Sequence, residues 1–296
     1  MTQRWPTLDG NPTRVIAHRG ASGQLPEHTL EAYALALEQG ADAIEPDLVL
    51  TRDGVPIARH ERGLARSTDI AARSRFAGRA HLGDWHAERL DLSELTELRA
   101  VQPFPGRPGD HDGRYAIPTL AQILDLARDW AGRLGREVLV YPELKDPDRL
   151  AVEGFDSVTA LATVLKGRTD AGVRLWLQCF HEATLERVAR ELALPTFLLF
   201  DRTREPQPTA LPDWLTGIGV HKEWIVHAPE LVATAHRRGL AVHTWTYRDD
   251  APAHGFDDVA HELLHAFALG VDAVFCDFPA TGITTRATFR TACDTS

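Results

Sequence analysis

His18-Arg19-Gly20 follows the apolar run Val15-Ile16-Ala17 and brings an imidazole, a guanidinium fork and a residue permitting close backbone approach to one strand end. An imidazole exchanges protons near neutral pH and the fork can grip two phosphate oxygens, so the tripeptide suits chemistry on an oxyanion. In Ala43-Ile44-Glu45-Pro46-Asp47-Leu48 two carboxylates stand two apart, which on a strand puts them on one side. Two anions facing one way repel unless something cationic lies between them, and oxygen-only ligands favour Mg²⁺, Ca²⁺ or Mn²⁺ over zinc. Tyr141-Pro142-Glu143-Leu144-Lys145 repeats the spacing with an acid and a cation. Glu143 could complete a three-carboxylate metal site, and Lys145 could neutralise charge on a phosphoryl oxygen. The bland alternative is a same-face ion pair worth little, but Lys145 is one of only three lysines in the chain. Past the turn signal Thr51-Arg52-Asp53-Gly54, a returning strand can place His60 close to Glu45, Asp47 and His18. Two histidines flanking a bound group can act as base and acid.

These residues need a frame that gathers strand ends. Strand-like runs occur at Arg14 to Ala17, Ala43 to Leu50, Val55 to Arg59, Val138 to Glu143, Arg174 to Cys179, Pro195 to Phe200, Gly217 to His221, Ala241 to Trp245 and Asp272 to Cys276. The turn after the second is too short for a right-handed crossover, so Val55 to Arg59 is predicted as an antiparallel hairpin partner. Eight parallel strands remain, the count of a closed (β/α)₈ TIM barrel. Helical patterns cover Thr29 to Gln39, Thr119 to Leu134, Val152 to Leu165, Glu182 to Leu192, Pro229 to Arg238 and His254 to Leu269. Arg62 to Tyr115 fits no βα unit and has one helical fragment, Ser93 to Arg99; it reads as an insertion near the barrel mouth. The expectation is one barrel domain over residues 1–296 with an insertion at about 62–115.

The 296 residues carry 42 acidic and 32 basic side chains, a formal charge of −10. That balance offers no footprint for nucleic acid or an anionic membrane, so the expected partner is a small phosphodiester met at a locally positive mouth. Oligomeric state is not written in the sequence. Three scattered cysteines, Cys179, Cys276 and Cys293, suit a reduced compartment, and the first residues show no signal-peptide or lipid-anchor pattern; a cytoplasmic location is expected.

Together these segments resemble the glycerophosphodiester phosphodiesterase family, particularly its longer bacterial, periplasmic-type branch with an insertion after the hairpin. The resemblance runs from about residue 14 to 280, through Ile16 to Gly20, Pro26 to Thr29, Gly40 to Asp47, Thr51 to Gly54 with His60, Tyr141 to Lys145, Gln178 to Phe180, His243 to Thr246 and Gly270 to Pro279. It implies a hydrolase of lipid and glycerol metabolism that cleaves glycerophosphodiesters to sn-glycerol 3-phosphate and an alcohol, using one divalent cation, calcium or magnesium, with manganese as a third option. By resemblance, Glu45, Asp47 and Glu143 are the metal ligands, His18 and His60 the acid/base pair, and Arg19 and Lys145 the phosphate-contacting cations. Phe180 and Trp245 match aromatics lining the substrate pocket. The family usually has Asn where His28 stands and Asp where Glu61 stands; a histidine at 28 could add a phosphate contact or alter the pH profile. A lysophospholipase D-type reading keeps the site but predicts an apolar groove made by the Arg62 to Tyr115 insertion, where Phe76, Leu82, Trp85 and Phe104 are scattered among charged residues. A non-catalytic phosphodiester-binding barrel would require loss of a catalytic group, and none is missing.

Overall fold

The computed structural model describes residues 4–168 and 172–294. Its strand segments are β1 (Arg14–His18), β2 (Ala43–Glu45), β3 (Asp47–Leu50), β4 (Pro56–Ala58), β5 (Val138–Val140), β6 (Glu143–Leu144), β7 (Val173–Leu175), β8 (Leu177–Cys179), β9 (Thr196–Phe200), β10 (Gly217–His221), β11 (Ala241–Tyr247) and β12 (Ala273–Cys276). Three barrel strands are each broken in two: β2/β3 at Pro46, β5/β6 at Tyr141-Pro142 and β7/β8 at Trp176. Counted as continuous strands, these three together with β1, β9, β10, β11 and β12 make eight, with β4 outside the barrel as the hairpin strand. Lower segments run β1-β2-β5-β7, upper ones β3-β6-β8-β9, and β10, β11 and β12 close the ring onto β1. Every pairing is parallel except the hairpin β3–β4, where Leu48, Val49 and Leu50 face Ala58, Ile57 and Pro56. The expected (β/α)₈ barrel and its hairpin are therefore present.

The breaks share one level of the barrel and cost little hydrogen bonding. Pro46 donates no hydrogen bond, but its carbonyl accepts from Glu143 N at 2.9 Å, and the Pro142 carbonyl accepts from Gln178 N at 3.0 Å. Strand alternation sends Ile16, Ala43, Leu139, Tyr141, Phe197, Ala273 and Phe275 inward as one apolar cluster. His243 stacks on Phe197 with centroids 4.3 Å apart, and its Nδ1 lies 3.0 Å from the Tyr141 hydroxyl. This packed floor leaves the next inward positions, Glu45 above Ala43 and Glu143 above Tyr141, at the open end. A second, larger cluster lies between the strands and the surrounding helices.

Helix Leu30–Glu38 starts where Thr29 Oγ1 accepts from Ala32 N at 3.1 Å, a cap worth about 1 kcal/mol. The predicted helix Val152 to Leu165 is found only from Ser157 to Leu165, and a separate, unexpected helix, Pro147–Val152, ends where the prediction begins: Gly154 takes φ +89°, and Asp156 caps the later helix by accepting from Val158 and Thr159. The predicted His254 to Leu269 helix begins only at Val259, where Asp258 caps it through His261 N. Helices Glu223–His227 and Pro279–Asp294 were not anticipated.

Residues 62–115 are more ordered than their composition suggests. The expected helix Ser93 to Arg99 is the single turn Leu92–Leu95, set by Asp91 and Glu94 acting as a capping box. Leu64, Ile70, Phe76, Ala87, Leu90, Leu95 and Leu98 pack with Val49 and Ile57 of the hairpin into a separate apolar core. No helix among the described residues is long and apolar enough to cross a membrane.

Candidate active site

Glu45 ends β2, Asp47 begins β3, and Glu143 begins β6 directly opposite Asp47 in register. Each offers a carboxylate oxygen within 4.8 Å of the other two, and all three side chains are buried. Burial, then the neighbouring carboxylates Asp47 and Glu143, pushes Glu45 well above the usual carboxylate range. Burial, opposed by the Lys145 ammonium and reinforced by Asp47, pushes Glu143 up to about 8. Asp47 moves the other way: against the cost of burial, Lys145 and Arg19 hold it well below the carboxylate range. Gln178 Nε2 donates to Glu45 Oε1 at 2.9 Å and Arg19 N to Oε2 at 3.1 Å, fixing that carboxylate's orientation. Three clustered buried carboxylates with so much mutual repulsion are a donor set that fits one hard divalent cation.

The cations surround this cluster. Lys145 Nζ lies 2.8 Å from Glu143 Oε1 and 3.8 Å from Asp47 Oδ1. Arg19 adopts φ 61°, which turns its side chain back into the barrel mouth. Its Nη1 donates to Glu27 Oε2 at 2.8 Å and its Nε is 3.1 Å from Asp47 Oδ2. Part of the fork expected to grip phosphate is thus already committed to protein carboxylates. His28 corrects another expectation: it is fully buried, with Nε2 3.0 Å from Asp47 Oδ2 and Nδ1 2.8 Å from the Tyr33 hydroxyl, so it cannot reach a bound phosphate.

The two histidines differ in setting. His18 Nδ1 is 2.6 Å from Asp277 Oδ1, and burial, then the Arg19 charge, lowers its pKa to about 4. Its carboxylate partner fixes the tautomer: Nδ1 carries the proton and Nε2 keeps the lone pair. His60 is one-third exposed, with Nδ1 3.2 Å from Glu61 Oε1. Both line a cavity of about 270 Å³ together with Arg19, Glu45, Glu143 and Lys145. Phe180 and Trp245 line its other wall, their rings perpendicular with centroids 6.0 Å apart; Phe180 is 41% exposed and thus no core aromatic. All nine residues singled out in the sequence therefore meet at one mouth.

Sequence reasoning passed over Asp277, Glu27, Gln178 and Arg248, the last lining the cavity with its Nε 3.1 Å from Asp277 Oδ2. Asp277 had a readable signal, a carboxylate immediately beyond the last barrel strand. Glu27 had none, because its role depends on the left-handed turn at Arg19 that brings the two together.

The sequence over residues 18–281 matches the Glycerophosphoryl diester phosphodiesterase family. A glycerophosphodiester phosphodiesterase from Haemophilus influenzae is 31% identical, covering 91% of this chain and 88% of its own length. One from Arabidopsis thaliana is 29% identical over 89% of this chain and 83% of its own. An Oleispira antarctica phosphodiesterase, solved in complex with the product sn-glycerol-3-phosphate, superposes with a TM-score of 0.74 at 24% identity, covering 94% of this chain and 98% of that one. The matched span runs from the end of the first barrel strand to beyond the last, and the chain belongs to the glycerophosphoryl diester phosphodiesterase family.

Proposed function

We propose that this enzyme hydrolyses glycerophosphodiesters, the deacylated head groups of phospholipids, to sn-glycerol 3-phosphate and an alcohol. The observation that carries the reading is the convergence of a buried three-carboxylate cluster with His18 and His60 on one cavity. Glu45, Asp47 and Glu143 would hold one Ca²⁺, Mg²⁺ or Mn²⁺, which when bound supplies Lewis-acid stabilisation of charge on the phosphoryl group. Arg19 and Lys145 share that charge from the protein side. His18 Nε2 takes the proton of the attacking hydroxyl, since its Nδ1 proton is held by Asp277; the hydroxyl is that of water attacking directly, or the neighbouring glycerol hydroxyl, in which case water then opens the cyclic phosphate to sn-glycerol 3-phosphate. His60 returns a proton to the leaving alcohol oxygen; burial and then the Arg19 charge lower its pKa in the free site, and the anionic substrate, with Glu61 at its Nδ1, works to restore the imidazolium. Phe180 and Trp245 pack on the glycerol or leaving group.

The insertion argues against a lysophospholipid substrate. Phe76 is buried in the segment's own core and Trp85 packs against it, so neither builds an apolar groove. The same proposal takes residues 1–296 as one barrel unit with 62–115 inserted at its mouth. It also places the enzyme in the cytoplasm without stable membrane association or nucleic-acid binding, which the buried free thiols Cys179 and Cys276 support.

The test is a coupled assay for glycerol 3-phosphate released from glycerophosphocholine and glycerophosphoethanolamine, after chelation and with each cation restored. Release that depends on the cation is expected; no release under any cation would remove the reading.

A further inference from the structure

Arg107 comes from the return limb of the 62–115 segment, yet its side chain is only 2% exposed and ends against the carboxylate that holds His18. Its Nη2 donates to Asp277 Oδ2 at 2.6 Å, while Asp277 Oδ1 faces His18 Nδ1 at the same distance. The guanidinium is itself fixed on several sides. Nε and Nη2 donate to the two oxygens of Asp250 at 2.7 and 3.1 Å, and Phe104 stacks 4.3 Å from the guanidinium carbon. The limb is also tied to the loop that follows His18: Gln102 Nε2 donates to the Ser22 carbonyl at 3.1 Å, and Ser22 Oγ donates to the His18 carbonyl at 2.8 Å.

Arg248 Nε also lies 3.1 Å from Asp277 Oδ2, but its side chain is 31% exposed, so without Arg107 the buried carboxylate would be left with a neutral imidazole and one partly exposed cation, and freer to rotate. With Oδ2 held by a guanidinium that cannot itself turn, Oδ1 is confined to the line of His18 Nδ1. We propose that Arg107 is a positioning residue for phosphodiester cleavage: acting through Asp277, it fixes the tautomer and aim of the His18 imidazole. The insertion thereby completes the proton-transfer apparatus of the barrel. This inference rests on His18 being the base.

The experiment compares steady-state kinetics of the full-length, cation-loaded enzyme on glycerophosphocholine for Arg107→Ala, Arg107→Lys, Asp277→Asn and the double variant Arg107→Ala/Asp277→Asn. Misaiming a reacting group by a fraction of an ångström lowers kcat, so Arg107→Ala is expected to lose about 10- to 100-fold in kcat with KM changed by less than about threefold. Arg107→Lys keeps one charged contact and recovers part of that loss. The double variant is no slower than Asp277→Asn alone, because residues acting through one group are not additive. Unchanged kcat in Arg107→Ala with only a lowered melting temperature would overturn the proposal, as would losses that multiply in the double variant. Should Arg107→Ala fail to fold, Asp250→Asn loosens the same guanidinium, and an unaltered kcat there overturns it equally. His18→Ala separates the two readings: full activity in it removes the base assignment, whereas its inactivity beside an unaffected Arg107→Ala removes the clamp alone.

Discussion

His28 Nε2 lies 3.0 Å from Asp47 Oδ2, and its Nδ1 lies 2.8 Å from the Tyr33 hydroxyl. Burial lowers the imidazole pKa to about 4, so the ring is neutral; Nε2–H donates a hydrogen bond to the Asp47 carboxylate and the tyrosine hydroxyl donates to Nδ1. His28 therefore acts as a neutral donor that orients a metal-ligating carboxylate. Asn offers a donor of similar reach, so His28→Asn should retain cation affinity within a few fold. His28→Leu should weaken it by about 10- to 100-fold, the usual effect of losing a partner behind a ligand. Calorimetric titration with Ca²⁺ or Mg²⁺ reads both, and equal affinities for the two variants would contradict the assignment.

The carboxylate cluster also makes stability depend on pH when no cation is bound. Glu143 is raised to about 8 by burial, with Lys145 opposing and Asp47 adding, so near pH 7.5 the folded chain holds a proton that the unfolded chain has lost. Stability must then fall as pH rises through that range. His18 and His28, both lowered to about 4, work in the opposite direction but only below about pH 6.5, and Asp47 titrates lower still. Between about pH 7 and 8.5 the chelated protein should lose melting temperature while the cation-loaded protein does not. Thermal melts at four pH values decide it; parallel curves would count against the cluster as a cation site.

How much of this was legible depended on whether a residue's role follows from its own strand. Glu45, Asp47 and Glu143 could be read because alternation on a strand fixes their side, and Pro46 interrupts the ladder without reversing it. The hairpin likewise followed from loop length alone. Asp277 stands where a barrel strand ends and could have been read as a site residue, but its partner His18 is 259 residues away; Glu27 and Arg107 act through partners 8 and 170 residues away, and no local pattern encodes such pairings. The break at Gly154 was missed because the apolar periodicity continues past it into Ser157–Leu165. The core of residues 62–115 was hidden because its apolar residues are spaced irregularly and are joined by isolated bridges such as Thr68 to Ala100.

Phe180 is 41% exposed and meets Trp245 edge-on at the cavity wall. A half-exposed aromatic ring contributes little to folding and has apolar surface left for a ligand to cover, worth roughly 1–1.5 kcal/mol if about half a Phe side chain is buried on binding. Phe180→Ala should therefore raise KM about tenfold with kcat and melting temperature nearly unchanged. Loss of kcat at constant KM would instead place the ring against the reacting atoms.

The division of labour between the histidines predicts different responses to the leaving group. His18 presents Nε2 as a base whatever alcohol departs, because its tautomer is set by Asp277 at 2.6 Å. His60, beside Glu61 at 3.2 Å, is needed only where the departing oxygen must be protonated. An alkoxide such as that of choline is a poor leaving group without a proton, whereas p-nitrophenolate leaves unaided, so the benefit of a general acid shrinks as the leaving-group pKa falls. His60→Ala should lose on the order of 10²- to 10⁴-fold in kcat on glycerophosphocholine but much less on glycerol 3-phospho-p-nitrophenol, while His18→Ala loses comparably on both. Equal losses for His60→Ala on the two substrates would show that it does not protonate the leaving group, and the reverse pattern would exchange the two roles.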